Sequence, residues 1–262
     1  LPAVVLWTGL ITCFLAALFR DIPVFYVGMW VLIAVCVHIF TDLFNAYGTQ
    51  ALWPFSEKWI AWNIIHIFDP VIFFAHLVAV LLWLGRAASP ASLFPALYAF
   101  IAVYYVWQTA IHFYVKRQIV RQDRHRESGD RYDLVPTVRL NVWNVLKRKK
   151  DGQFLSGEFR NNRLRWVDRA QPSNHPAVEA SKSHPDVDAF LYFTSFACAD
   201  VKEHDWGYEV RWMDMRYRHR KQYPFVAVVL MDKQFHAFDS YVGWRSEERV
   251  EKKLKISAYE TD

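Results

Sequence analysis

The chain has 262 residues, 53% of them hydrophobic and 17% aromatic, with a formal net charge of +5. Up to Val115 its basic residues are Arg20, Lys58 and Arg86 and its acidic ones Asp21, Asp42, Glu57 and Asp69, which leaves 28 of the 31 basic and 22 of the 26 acidic residues to the remainder. The first part excludes a chain that is soluble throughout and the second excludes one that is membrane throughout, so a boundary falls near Lys116.

Leu1–Phe19 is an apolar run close to the ~20 residues a helix needs to cross the hydrocarbon core. No basic stretch precedes it and no small-residue cleavage site follows, so it reads as a span, with residues missing upstream, rather than as a signal peptide. Ile22–Phe40 predicts a second span and Pro70–Gly85 a short third one. Leu93–Val115 predicts a fourth, whose Tyr104, Tyr105, Trp107, Phe113 and Tyr114 gather towards one end, as in an interfacial aromatic belt. Between the second and third spans, Tyr47–Asp69 mixes Trp53, Trp59 and Trp62 with Glu57 and Lys58, a composition suited to the headgroup layer, where the tryptophans would present a lipid or amphiphile. Cys13, Cys36 and Cys198 are odd in number and scattered, so they are read as buried small hydrophobes rather than a disulfide or metal knuckle.

Residues 116–131 read as a basic juxtamembrane linker: Lys116, Arg117, Arg121, Arg124, Arg126 and Arg131 follow the last span directly. The positive-inside bias places this end in the cytoplasm of a multi-pass protein of a bacterial inner or plasma membrane, with Thr41–Asp69 on the same side. The bilayer is the expected partner, and no aromatic or glycine motif accompanies the basic run to support nucleic-acid binding.

From 132 to 262 the pattern is that of a small α+β domain. Thr137–Trp143 alternates apolar and polar residues as a strand does, Asp151-Gly152 signals a hairpin, and Gly157–Arg160 and Arg163–Val167 flank a turn at Asn161-Asn162. Pro176–Ser183 and Asp186–Thr194 read as helix broken at Pro185. Ala197–Lys202, Tyr208–Met215, Phe225–Met231 and Phe235–Tyr241 read as further strands, giving an antiparallel sheet with one or two helices. His204, His219 and His236 fall near strand ends and are read as exposed polar residues.

The candidate chemistry lies at the end of the second span. His38 and Asp42 are one helical turn apart and Asn45 three residues further, so at roughly 100° per residue all three share one face among Ile39, Phe40, Leu43 and Phe44. Polar groups at the end of an apolar helix are costly unless paired, wet or metal-bound. Imidazole and carboxylate at i, i+4 suit a divalent ion, and Asp69, at the start of the next span, is a candidate further ligand. The bland readings stand beside this one: a hydrogen-bonded pair at His38 and Asp42, a helix-end cap at Asn45, and an N-cap at Asp69 followed by Pro70 at the first helical position.

The run His38–Ser56 (HIFTDLFNAYGTQALWPFS), with Trp59, Asp69-Pro70 and later Arg216-Tyr-Arg218 and Tyr223-Pro-Phe225, closely resembles the YdjM/YfhP family of membrane-bound proteins regarded as metal-dependent hydrolases. The resemblance implies a membrane-bound hydrolase with a divalent, zinc-like ion held by His38 and Asp42, with Asn45 as a further ligand or a support for one and Asp69 as a ligand or base, and with Asp42 or Asp69 taking the proton. It also implies that the site is shown here only in part, because family members carry a histidine-rich motif directly before the segment matching Leu1-Pro2-Ala3, and this sequence lacks it. A lipid-like or phosphoester substrate at the cytoplasmic interface fits the tryptophans. The rival reading is a non-catalytic membrane anchor whose cytoplasmic domain binds a regulatory protein partner.

Overall fold

The structure is a computed structural model that describes residues 2–217, 223–254 and 256. Two compact units divide the chain: residues 1–115 with 135–142, and residues 116–134 with 143–262.

The helical unit contains α1 (Pro2–Leu18), α2 (Val24–Asp42), α3 (Pro70–Leu84) and most of α4 (Pro90–Gln122). α1 and α2 pack against each other. Gly28 on α2 faces Thr12 on α1, where a Cβ would just reach contact with the threonine methyl at 3.4 Å. Apolar side chains cover the outside of these helices, with Phe25 75% and Val106 72% exposed, surface that water would not tolerate over such an area. α2, with 19 residues, and α4, with 33, are long and apolar enough to cross a membrane. α1 and α3 are shorter, at 17 and 15 residues. α4 does not end where the positive charge begins: it runs on to Gln122, because Lys, Arg and Gln are good helix formers and charge alone does not stop a helix. The first part of the expected linker is therefore helix. Cys13 and Cys36 lie exposed on the helix surfaces rather than buried, whereas Cys198 is buried as expected.

The second unit is built on two antiparallel meanders. One sheet has the order β1-β2-β3-β4, from β1 (Arg131–Pro136), β2 (Val142–Arg148), β3 (Phe154–Arg160) and β4 (Arg163–Ala170). The other has the order β5-β6-β7-β8, from β5 (Ala197–His204), β6 (Gly207–Asp214), β7 (Phe225–Asp232) and β8 (Ala237–Trp244). α5 (Pro176–Ser181) and α6 (Pro185–Phe193) cover one face of the second sheet, where Ala177, Val187 and Phe190 meet Val210, Ala227 and Val229. α7 (Glu247–Lys253) covers the other, where Val250 and Leu254 meet Val228 and Leu230. Sandwiched in this way, β7 is buried on both faces, and its sequence is accordingly a continuous apolar run rather than an alternating one.

The expected antiparallel sheet and helices are present, with three differences. Residues 137–141 are not strand but the turn between β1 and β2. Their alternation has a local cause: the Thr137 hydroxyl donates to the carbonyls of Arg139 and Val142 and closes the turn. α7 is an additional helix. His204 is half-buried, stacked on Trp206 with its ring 3.5 Å from the Glu209 carboxylate. His219, like Arg218 of the family-like motif, lies outside the described residues.

A buried charge network anchors the first sheet to the end of α4. Lys147 on β2 is 1% exposed and donates to Asp123 (2.7 Å), Asp130 (2.8 Å) and the His125 carbonyl (2.8 Å). The Tyr132 hydroxyl donates to the same Asp123 oxygen at 2.6 Å. Burial alone would push both carboxyls up, but the Lys147 ammonium and the amide and hydroxyl donors outweigh it and hold them below the usual carboxylate range. Lys147→Met is expected to destabilise this unit by about 3–5 kcal/mol, because two buried carboxylates lose their counter-charge. Thermal unfolding in detergent checks this. The depressed carboxyls stabilise the fold above their unfolded value near pH 4 and release that stability as the pH falls through their folded values. Asp123→Asn is therefore expected to flatten the acid limb of the unfolding profile.

Candidate functional site

The site forms where α2 ends. The helix runs to Asp42 with no basic residue in its last turn, and Asn45 turns the chain out of it: its side-chain oxygen accepts from the backbone amides of Tyr47 and Gly48, both at 2.8 Å. Gly48 completes the turn at φ +70°, where a Cβ would lie 2.3 Å from the Ile60 carbonyl oxygen, so any other residue would be strained. The chain then folds back through an isolated bridge between Thr49 and Ile60, and the amides of Trp62, Ile64 and Ile65 donate to the carbonyls of Leu43 and Phe44. Phe44, Ile64 and Ile65 form a small core against Leu43, Ile72, Tyr104 and Tyr105.

His38 and Asp42 come together as their spacing predicts. His38 Nε2 lies 3.6 Å from Asp42 Oδ2, and the side chains are 76% and 34% exposed. Asn45 Nδ2 donates to the other Asp42 oxygen at 3.3 Å, which orients the carboxylate towards the imidazole. Two donor types that bind divalent ions thus face outward on one helix edge, held from behind by an amide.

Asp69 is differently placed. It is 7% exposed and caps α3: one oxygen accepts from the amides of Val71 (2.9 Å) and Ile72 (3.2 Å), with Pro70 at the first helical position. Its other oxygen accepts from the Tyr104 hydroxyl at 2.8 Å, and Gln108 donates to that hydroxyl at 2.6 Å. Among the described residues no three His, Cys, Asp or Glu side chains are arranged to hold a metal ion. Measured against the four donors zinc takes, the described residues fit the group by half: His38 and Asp42 offer two, while the oxygens of Asn45 and Asp69 are already engaged.

Of the tryptophans, Trp62 packs edge-to-face on Phe40 and Phe44 and is 42% exposed, Trp53 is 43% exposed and Trp59 is half-buried. His66, His76 and His112 each pair with a backbone carbonyl, His112 with that of Asn63 at 3.0 Å. Sequence reasoning missed the polar stripe Tyr104–Gln108–His112. Its signal was there: three polar residues at i, i+4 and i+8 in an otherwise apolar helix define one face.

Comparison with known proteins agrees with the division seen in the fold. Residues 1–115 match the family model described as the YdjM inner membrane protein, and residues 176–254 match the one described as the YfhP C-terminal alpha/beta plait domain. An uncharacterized Bacillus subtilis protein, YfhP, is 32% identical over 264 aligned residues, which cover 98% of this chain and 79% of the relative. No solved structure matches. With both family models in chain order and this identity along nearly the whole length, the chain belongs to the YdjM/YfhP family of membrane proteins.

Proposed function

We propose that the chain is a membrane-bound, metal-dependent hydrolase of a multi-pass inner-membrane type, acting at the cytoplasmic membrane interface on a lipid-like or phosphoester substrate. The observation that carries this reading is the His38–Asp42 pair, 3.6 Å apart, outward-facing and braced by Asn45, at the end of an apolar helix. A structural pair in that position would gain by turning inward to share a partner, whereas a ligand pair has to stay accessible. The basic residues that follow Val115, on the last turns of α4 and just beyond it, support placing this end of α2 in the cytoplasm, since one helical hairpin separates the two. A zinc-like ion would supply polarisation of the electrophile and a bound water of lowered pKa. His38 and Asp42 would bind it, Asn45 would orient Asp42, and further donors would come from beyond the described residues. Asp69 serves as the cap that fixes α3 against Tyr104.

A second reading is favoured by a specific observation: Asn45 and Asp69 are occupied by backbone amides, and among the described residues no third ligand joins the pair. On that reading the helices are an anchor and the plait domain binds a regulatory protein.

Zinc measured by elemental analysis after purification of the full protein in detergent separates the two. The hydrolase reading expects about one ion per chain. It expects His38→Ala or Asp42→Ala to weaken retention at least tenfold, since even outer-shell changes cost that much. Asp69→Asn keeps the N-cap but sets an amide N–H against the Tyr104 hydroxyl, so it is expected to leave zinc content unchanged while costing about 1–3 kcal/mol of thermal stability. Zinc content that is indifferent to His38 and Asp42 would leave the anchor.

A further inference from the structure

The inward face of α4 carries a polar cluster that the helix-end pair does not use. Asp69, 7% exposed, is surrounded by donors: the Val71 and Ile72 amides on one oxygen and the Tyr104 hydroxyl on the other. A group approached only by donors is held as a carboxylate, which accepts and does not donate. Among the described residues no cationic side chain pairs with it. The basic residues up to Val115, namely Arg20, Lys58 and Arg86, are all exposed. A buried charge with apolar surroundings is costly unless an opposite charge accompanies it.

The hydrogen bonds around Asp69 have a fixed direction. The Tyr104 proton goes to Asp69, so the Tyr104 oxygen can only accept, and Gln108 must turn its amide nitrogen to it at 2.6 Å. Gln108 Oε1 therefore points away from the tyrosine, where it is buried and meets no donor among the described residues. The whole side chain is enclosed, with Gln108 5% exposed. One turn further along α4, His112 Nδ1 donates to the Asn63 carbonyl at 3.0 Å, which lays Asn63 against the same face. Asn63 is 9% exposed, and its Oδ1 is likewise buried with no donor among the described residues. A water molecule could donate to both amide oxygens but would leave the Asp69 charge unmatched. A cation answers both needs, and one carboxylate calls for one positive charge. Amide and carboxylate oxygens are hard donors, which suit alkali and alkaline-earth ions rather than softer ones. Irregular backbone between helices, such as the segment that carries Asn63, is where membrane proteins hold sodium.

We propose that Gln108 and Asn63 bind an alkali-metal cation, of which sodium is the probe, inside the helical unit. Gln108 Oε1 and Asn63 Oδ1 coordinate the ion, Asp69 supplies the opposing charge, and Tyr104 keeps Gln108 turned towards it. The ion ties α4 to the segment between α2 and α3. The inference does not rest on any chemistry at His38 and Asp42.

The test follows thermal unfolding of the full protein in detergent as sodium chloride replaces choline chloride at constant ionic strength, with a chelator present so that divalent ions play no part. The unfolding temperature is expected to rise by about 4 °C once sodium stands tenfold above its dissociation constant. Gln108→Leu and Asp69→Asn are each expected to lose that rise, whatever they do to the starting temperature. Gln108→Glu keeps the size of the side chain and adds a ligand charge, so its half-saturating sodium concentration is expected to fall about tenfold. That variant carries the test if Gln108→Leu does not fold. An unfolding temperature equal in sodium and choline would overturn the proposal, by assigning the two oxygens to water. A sodium response that Gln108→Glu leaves at the same half-saturating concentration would overturn it as well, by placing the ion elsewhere.

Discussion

The outside of α1–α4 is apolar, as suits a family described as inner membrane proteins, and an apolar cover leaves the polar groups inside the helical unit to be satisfied by the protein itself. Water cannot satisfy such a group there, so the protein must. Asp69 shows the solution at its most economical. One carboxylate closes the start of α3 with one oxygen and ties it to α4 with the other, through a tyrosine that is itself held by a glutamine one turn on. Asn45 does the same for the end of α2, by returning the backbone through two amides. The irregular segment between α2 and α3 can exist at this depth because its amides reach back to the last carbonyls around Leu43 and Phe44.

Against that background the His38–Asp42 pair stands apart. Most polar side chains of the helical unit described above turn inward to a partner that a membrane-buried group would need. This pair turns outward, stays accessible, and is braced by the Asn45 amide. A polar stripe can be placed by selection for folding or by selection for a ligand, and the two leave different geometry: satisfied and enclosed in one case, oriented and open in the other. Asp69 has the first geometry and His38–Asp42 the second, although both were candidates for the same metal site by spacing and residue type.

That difference also marks what the sequence could reveal. The i, i+4 relation of His38 and Asp42 is local and was legible, because a helix converts spacing directly into proximity. The meeting of Asp69 with Tyr104 joins residues 35 positions apart and depends on how α3 and α4 pack, which no local pattern encodes. The same division runs through the soluble unit. β7 was legible as a strand from its apolar run, and the hairpin at Asn161-Asn162 from its turn residues. The stretch 137–141 was misread because alternation also arises where a threonine closes a turn, and α7 was missed because a seven-residue charged helix gains its definition from Val250 and Leu254 packing on β7 and β8. The basic run after Val115 read as a flank of the membrane, and its continuation as helix changes what it positions: Asp123 and Gln122 become fixed points for the sheet that follows.

Those two adjacent residues do unlike work. Asp123 draws Lys147 and Tyr132 into a sealed network that excludes water, while Gln122 holds the β3–β4 turn with ordinary amide bonds at the surface. The buried network fixes β2 relative to the helix end at the expense of desolvating three charges, a cost that apolar packing would avoid. Hydrophobic contacts alone would permit small slides of a sheet along a helix, whereas a lysine between two carboxylates and a carbonyl has one register. Within the second unit the last turns of α4 and the first sheet are therefore locked into one body, by a charge network on the inside and by amide bonds at the surface.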